Sequence, residues 1–328
     1  MAKRKKSRKS KKKSSRLHYI AWALAAVALA LVSLLVGYYL GYDAAEKSVE
    51  KHSVQREQSK QKLPKKQKKK PSVQKRLSEV LKKEYKSYSS ASHEIENEAL
   101  VNPPVVQEHK KSRGSRAKLA IIIDDVSTRS QVRAIQSLHL PVTMSFLPPS
   151  KARPNSAKLA AKQHFYMVHL PMEAMHFNKE EPFTMHVRDS QEKIIRRIDD
   201  LKQLFPKVHY INNHTGSKFT SNKEAMQHLI FALNKNHILF IDSRTTAKTK
   251  APEVLKSMGM KYVSRDIFLD HHNDKSYIKG QIKKAIALAK RRGHAIAIGH
   301  PHKNTLEALS ESKALFKGVD LVLINKIY

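Results

Sequence analysis

LAIIIDD, residues 119–125, is an apolar run of five residues closed by two adjacent carboxylates. A run with no polar alternation suits a strand buried on both faces, as in a parallel sheet. The same pattern recurs at Val142–Phe146, Phe165–Val168, Val208–Ile211, Ile238–Ile241, Tyr262–Val263, Ile267–Leu269, Ala295–Ile298 and Leu321–Ile324. Helical periodicity lies between several of these runs. SQEKIIRRIDDLKQLF (190–205) carries Ile194, Ile195, Ile198, Leu201 and Leu204 at helical spacing, and NKEAMQHLIFAL (222–233) and YIKGQIKKAIALAKRRG (277–293) follow suit. Alternating strands and helices over roughly 210 residues predict a parallel α/β domain, best met by a closed or distorted (β/α) barrel. No GxGxxG or GxxxxGK follows any strand, so an open nucleotide-binding sheet has no local support.

Such folds gather the C-terminal ends of their strands on one face, where residues distant in sequence converge. Asp124-Asp125, His169, His214, Asp242 and His300 all fall at or near such ends, so one pocket is expected. On an extended chain Asp124 and Asp125 point to opposite faces, and only a bend would bring both to one site. The alternative is that one of them caps the next helix through Ser127 and Thr128. His169, in HFYMVHLPME, is expected just past its strand, because Pro171 would stop the ladder. Glu173 lies four residues on. Imidazole beside carboxylate suits zinc, manganese or nickel better than magnesium, although a lone histidine there also serves a purely structural role. His214, in INNHTGSKF, is expected on a loop crowded by Asn212, Asn213, Thr215 and Ser217, with Gly216 allowing close backbone approach; a plain Asn/Gly turn is the alternative. Asp242 beside Arg244 reads as an orienting pair around the site or as a structural ion pair. Asp266 and Asp270 invite the same reading, and His271 and His272 are expected to be exposed. In AIAIGHPH, Gly299 removes bulk beside His300, an imidazole whose ordinary pKa near 6.5 suits proton transfer.

The chain of 328 residues carries 63 Lys and Arg against 28 Asp and Glu. Residues 116–328 account for 35 of those cations and 18 of the acids, so about half of the excess charge precedes the domain. No nucleic-acid-recognition motif accompanies it, and no nucleic-acid partner is expected. Cysteine is absent, which removes disulfides and thiolate chemistry. Residues 17–42 contain no Asp, Glu, Lys or Arg, and aromatic residues stand near both ends of this stretch. Ten cations and no acid precede it between Lys3 and Arg16. The expectation is a cytoplasmic tail (1–16), a transmembrane signal anchor (17–42) and a Lys/Ser-rich, mostly disordered linker (43–115). The domain at 116–328 would then be exported from the inner (cytoplasmic) membrane to the periplasm or cell surface. Within the linker, Val73, Leu77, Val80, Leu81 and Tyr85 recur at helical spacing.

In their order, IIIDD, VHLPME, NNHTGS, DSRTT with RDIFLDHH behind it, and AIGHP resemble the divergent polysaccharide deacetylase family, within the NodB-type deacetylases. The resemblance spans nearly all of the domain and implies a distorted (β/α) barrel of NodB type. It implies Asp124 as catalytic base, Asp125 as metal ligand, His169 as the first ligating histidine and His300 as general acid. Glu173 stands where the family's second ligating histidine is usual, so either Glu173 or His214 completes the set. We take His214 as the ligand, and Glu173, Asn213, Ser217, Asp242, Arg244 and Asp270 as supporting or substrate-facing residues. The implied activity is metal-dependent removal of N- or O-acetyl groups from an envelope polysaccharide or peptidoglycan, with one divalent cation, zinc first and manganese or nickel next. The alternative is an inactive envelope glycan-binding protein that keeps the barrel. An amidohydrolase would want an HxH pair where this chain has Asp124-Asp125.

Overall fold

The structure, a computed structural model, describes residues 22, 31–34, 37, 116–177 and 179–328. The predicted tail, anchor and linker therefore lie outside the described residues, except for Trp22, 31–34 and 37, which are helical and exposed. No helix among the described residues is long and apolar enough to cross a membrane. The chain divides into two units, Met1–Lys70 and Pro71–Tyr328; the elements below belong to the second.

They run in the order β1 (Lys118–Val126), α1 (Arg129–Ser137), β2 (Thr143–Phe146), α2 (Ser156–Ala160), β3 (Met167–Met172), α3 (Gln191–Leu204), β4 (Tyr210–Thr215) and α4 (Ser217–Thr220). Then follow α5 (Lys223–Lys235), β5 (Leu239–Ile241), α6 (Ala251–Ser257), β6 (Ile267–Phe268), α7 (Lys275–Arg292), β7 (His294–Gly299), α8 (Lys303–Glu311) and β8 (Asp320–Val322). Every strand pairing is parallel, in the spatial order β5-β4-β3-β2-β1-β7-β6, and β8 joins the N-terminal end of β1.

Side-chain alternation sorts the strand residues into two apolar layers. Ile121, Ile123, Met144, Val168, Ile211, Phe240 and Ala297 pack outward against the helices. Ala120, Ile122, Met167, Ile241, Phe268, Ile296 and Ile298 meet one another inside the curl, joined by Ile324. A strand set with its own inner cluster is a curled sheet, as a barrel-like fold requires. Its two edges approach through one bridge, in which Asp242 N donates to Val263 O and Arg265 N donates to Asp242 O. Tyr262–Val263, expected as a strand, contributes only this bridge. Leu321–Ile324 ends early as β8, because Ile324 turns into a 3-10 segment and drops its side chain into the inner layer.

Two helices flank the site that periodicity alone did not identify, α1 and α8. α1 opens with a capping box: Thr128 Oγ1 accepts from Gln131 N, and Gln131 Oε1 accepts from Thr128 N. The N-cap is Thr128 itself, in reciprocal bonds with Gln131. Pro171 does not end β3 as expected. It pairs in register with His214, and its carbonyl accepts from Met185 N. β2 pairs with β3 only as far as Val168, so the absent N–H of Pro171 interrupts no β2 ladder; beyond that point Met172 bridges to Met185.

Gly216 follows β4 with φ +93, and a Cβ there would lie 2.9 Å from Met172 Cβ. Gly216→Ala therefore combines backbone strain with overpacking. It should destabilise the domain by about 2 kcal/mol or more, read as a lower urea midpoint at unchanged slope.

Candidate metal and catalytic site

Inward-facing positions at the C-terminal ends of the strands carry the polar cluster. Asp124 continues the parity of Ala120 and Ile122, His169 that of Met167, Asn212 and His214 that of Tyr210, and His300 that of Ile296 and Ile298. Asp125 would face outward in a regular strand. Its φ of +56, at a register shift between Ile123 and Val126, provides the bend that brings both carboxylates to the pocket. Asp is among the residues that tolerate this conformation best.

All of these groups are buried. Asp125 Oδ1 lies 3.0 Å from His214 Nδ1 and 3.5 Å from His169 Nε2. The two imidazoles meet edge-on at 4.9 Å. Asp125, His169 and His214 each offer a donor atom within 4.8 Å of the others, a spacing that one divalent cation can bridge. His169 Nδ1 is buried with no hydrogen-bond partner; its nearest acid oxygen, Asp124 Oδ2, is 3.6 Å away. Burial, reinforced by the His214 charge, pushes the His169 imidazole down to about 3, which leaves it neutral, the form that binds metals. Donor chemistry, spacing and a ring held without a proton partner fit a Zn-, Mn- or Ni-type ion.

Burial lifts the Asp124 carboxyl to about 7, opposed mainly by His300 and by the Asn212 hydrogen bond. Asn212 Nδ2 reaches both Asp124 oxygens at 3.0 and 2.8 Å, and its Oδ1 accepts from Ser145 Oγ at 2.6 Å. The same Nδ2 also reaches Ser243 Oγ at 3.0 Å. For Asp125, burial is outweighed by the neighbouring histidines, His214 foremost, and the carboxyl is held well below the usual range.

Across the pocket, His300 Nε2 lies 3.9 Å from Asp125 Oδ2. Its Nδ1 pairs with Asp270 Oδ1 at 3.1 Å, and its backbone N–H donates to Asp270 Oδ2 at 2.7 Å. Thr305 Oγ1 donates to the same Oδ2. Burial opposes the charge on His300, but Asp270 prevails and raises its pKa to about 9. Gly299 makes the fit possible, since a Cβ there would lie 3.2 Å from Thr305 Cγ2 and 3.3 Å from Leu269 Cβ.

Several expectations need correction. His169 and His214 lie within β3 and β4, not on loops beyond them. Glu173 stays out of the Asp125–His169–His214 group. Lys218 Nζ at 2.7 Å and Val187 N at 2.8 Å hold its carboxylate, and its carbonyl accepts from the first turn of α4. Asn213, opposite in parity to Asn212, is bonded to Thr215 O and Ser243 N, and Ser217 Oγ accepts from Met175 N. Asp242 accepts from Thr249 Oγ1, Tyr262 Oη and Arg244 N, and Arg244 reaches Arg265 O. These groups lace the closing edge of the curl; the leading charge effects on Asp124 and His300 come from elsewhere. Asp266 joins Arg292 and Ile296 N, away from Asp270. His272 is exposed, but His271 is half-buried against Phe268. Asn212 stood out from sequence only as one of the polar groups around His214; Ser145, Ser243 and His302 did not, and of these only the i, i+2 spacing of His300 and His302 gave a signal. His302 lies beside Asp270 and His300, but both Asp270 oxygens already serve His300.

Comparison with known proteins agrees with this architecture. The chain is 32% identical over 197 residues to an uncharacterized protein of Haemophilus influenzae, covering 60% of this chain and 70% of that one. It is 37% identical over 199 residues to the Escherichia coli protein YibQ, covering 59% and 61% respectively. The crystal structure of protein ATU2773 from Agrobacterium tumefaciens superposes with a TM-score of 0.57 at 19% identity, over 68% of this chain and 94% of that one, a likeness of fold. Residues 121–328 match the sequence profile of the divergent polysaccharide deacetylases, and the chain belongs to that family.

Proposed function

We propose that the domain at 116–328 is a metal-dependent carbohydrate deacetylase, its curled sheet a distorted (β/α) barrel of NodB type. It would hydrolyse N- or O-acetyl groups of an envelope polysaccharide or peptidoglycan. The observation that carries this reading is the convergence of Asp125, His169 and His214 within 4.8 Å, flanked by Asp124 on one side and His300 on the other. Those three residues would hold a divalent cation, zinc first and manganese or nickel next, which would supply Lewis acidity toward an acyl carbonyl and water. Asp124, oriented by Asn212, accepts the proton of the attacking water. His300, held protonated by Asp270, delivers a proton to the departing sugar amine or hydroxyl. Asp270 fixes the ring through Nδ1 and leaves Nε2 as the proton donor.

The same reading places residues 1–16 in the cytoplasm and residues 17–42 across the inner membrane, with a linker at 43–115 carrying the domain to the periplasm or cell surface. The apolar sequence and the cations preceding it support this. Metal analysis of the full chain, paired with acetate release from acetylated peptidoglycan, tests the proposal. About one zinc, manganese or nickel per chain and chelator-sensitive release are expected. Glycan retention with neither metal nor release would instead establish the inactive binding protein.

A further inference from the structure

A cavity of about 450 Å³, within the usual range for small-molecule sites, opens beside the loop that follows β3. It is lined by that loop and by the first turns of α3, and the loop is tied to the C-terminal end of β3, the strand that carries His169, where Met185 N donates to Pro171 O. Three carboxylates border it, each already engaged. Glu181 is forked by Arg153, Asp189 is held by Lys193, and Glu180 Oε2 meets His186 Nε2 at 2.9 Å. The guanidinium of Arg197 is the exception, with Nε and Nη2 buried and without hydrogen-bond partners. Asp200 on the same helix acts on it without forming an ion pair. Buried donors left unmatched are unfavourable, and a guanidinium fork matches a carboxylate.

Phe183 stands over the same guanidinium, with Arg197 Cζ 5.2 Å from its ring centroid. The ring is 69% exposed and held at φ +64, a conformation rare for a bulky residue. Local strain of this kind gathers at ligand sites. One face of the ring is covered by a cation and much of the rest meets solvent, so an apolar platform lies directly beside an unmatched positive charge.

We propose that this cavity is a subsite for a sugar unit bearing a carboxylate, with Phe183 as the platform for the sugar ring and Arg197 as the receiver of the carboxylate. Arg153 and Lys193 offset Glu181 and Asp189, which leaves the Arg197 charge unmatched, and the carboxylate oxygens can accept from sugar hydroxyls. The subsite narrows the substrate class from any acetylated glycan to one in which acidic residues neighbour the acetylated unit. It rests on the glycan reading above.

Ligand-observed NMR on the full chain, with methyl glucuronide and methyl glucoside as probes, tests it. These two sugars differ only in carrying a carboxylate or a hydroxymethyl group. The glucuronide should bind about tenfold or more tightly than the glucoside, and Arg197→Gln should abolish that preference. Phe183→Ala should weaken both sugars. Equal binding of the two sugars by the native chain, binding of neither, or a preference that survives Arg197→Gln would overturn the assignment. Asp124→Asn should bind the glucuronide as the native chain does, so failure of the subsite and failure of the hydrolytic reading are told apart.

Discussion

Asp124→Asn should lower acetate release by about 10²- to 10⁴-fold while the bound divalent cation stays at its native stoichiometry. The substitution keeps the side chain's shape and removes its capacity to take a proton. It also sets one amide against another, because Asn212 Nδ2 donates to both Asp124 oxygens. Asn212 cannot easily turn over in response, since Ser145 Oγ donates to its Oδ1. The cation should be unaffected, because the three converging donors are Asp125, His169 and His214. Near-native acetate release from Asp124→Asn would remove Asp124 as the base, and loss of the cation in the same variant would make it a ligand.

His214→Ala should weaken binding of the divalent cation by about 10²-fold or more, beyond the 10–100-fold typical of residues one shell further out, and should abolish acetate release. Glu173→Gln should leave the cation in place. The pair of variants decides between the two candidates that the sequence offered for the third ligand. His214 Nδ1 is 3.0 Å from Asp125 Oδ1, whereas the Glu173 carboxylate is occupied by Lys218 and Val187 N. Metal titration followed by calorimetry reads the result directly. A cation lost with Glu173→Gln and kept with His214→Ala would reverse the assignment.

Strand identity was legible because a parallel sheet buried on both faces demands unbroken apolar runs, and LAIII and AIAI supply them. Long helices were legible for a related reason: Ile194, Ile198 and Leu201 repeat at 3.6 residues and form the buried stripe of α3. Shorter helices were not. α1 and α8 span nine residues each, too few to establish a period, and α1 is announced mainly by its capping box at Thr128. Strand ends were misjudged where a local rule met a tertiary exception. Pro171 reads as a terminator, yet β3 continues through it because β2 has already ended beside it.

By itself, the sequence determined that carboxylates and imidazoles stand at or near the ends of buried apolar runs; their parity along β1, β3, β4 and β7, once those strands are placed, puts Asp124, His169, His214 and His300 on the inner face. Two matters only the tertiary structure decided. One is the direction of Asp125, which depends on a left-handed backbone residue at a register shift that no residue pattern specifies. The other is that His214, and not Glu173, joins the cluster of Asp125 and His169, although the two residue types are both able to ligate. Which one reaches the cluster depends on parity within β4 against a loop that Lys218 and Val187 hold aside, and such partners lie 14 to 45 residues away along the chain. Chemistry can be read residue by residue, but convergence is a property of strand register, set by contacts between segments far apart in sequence.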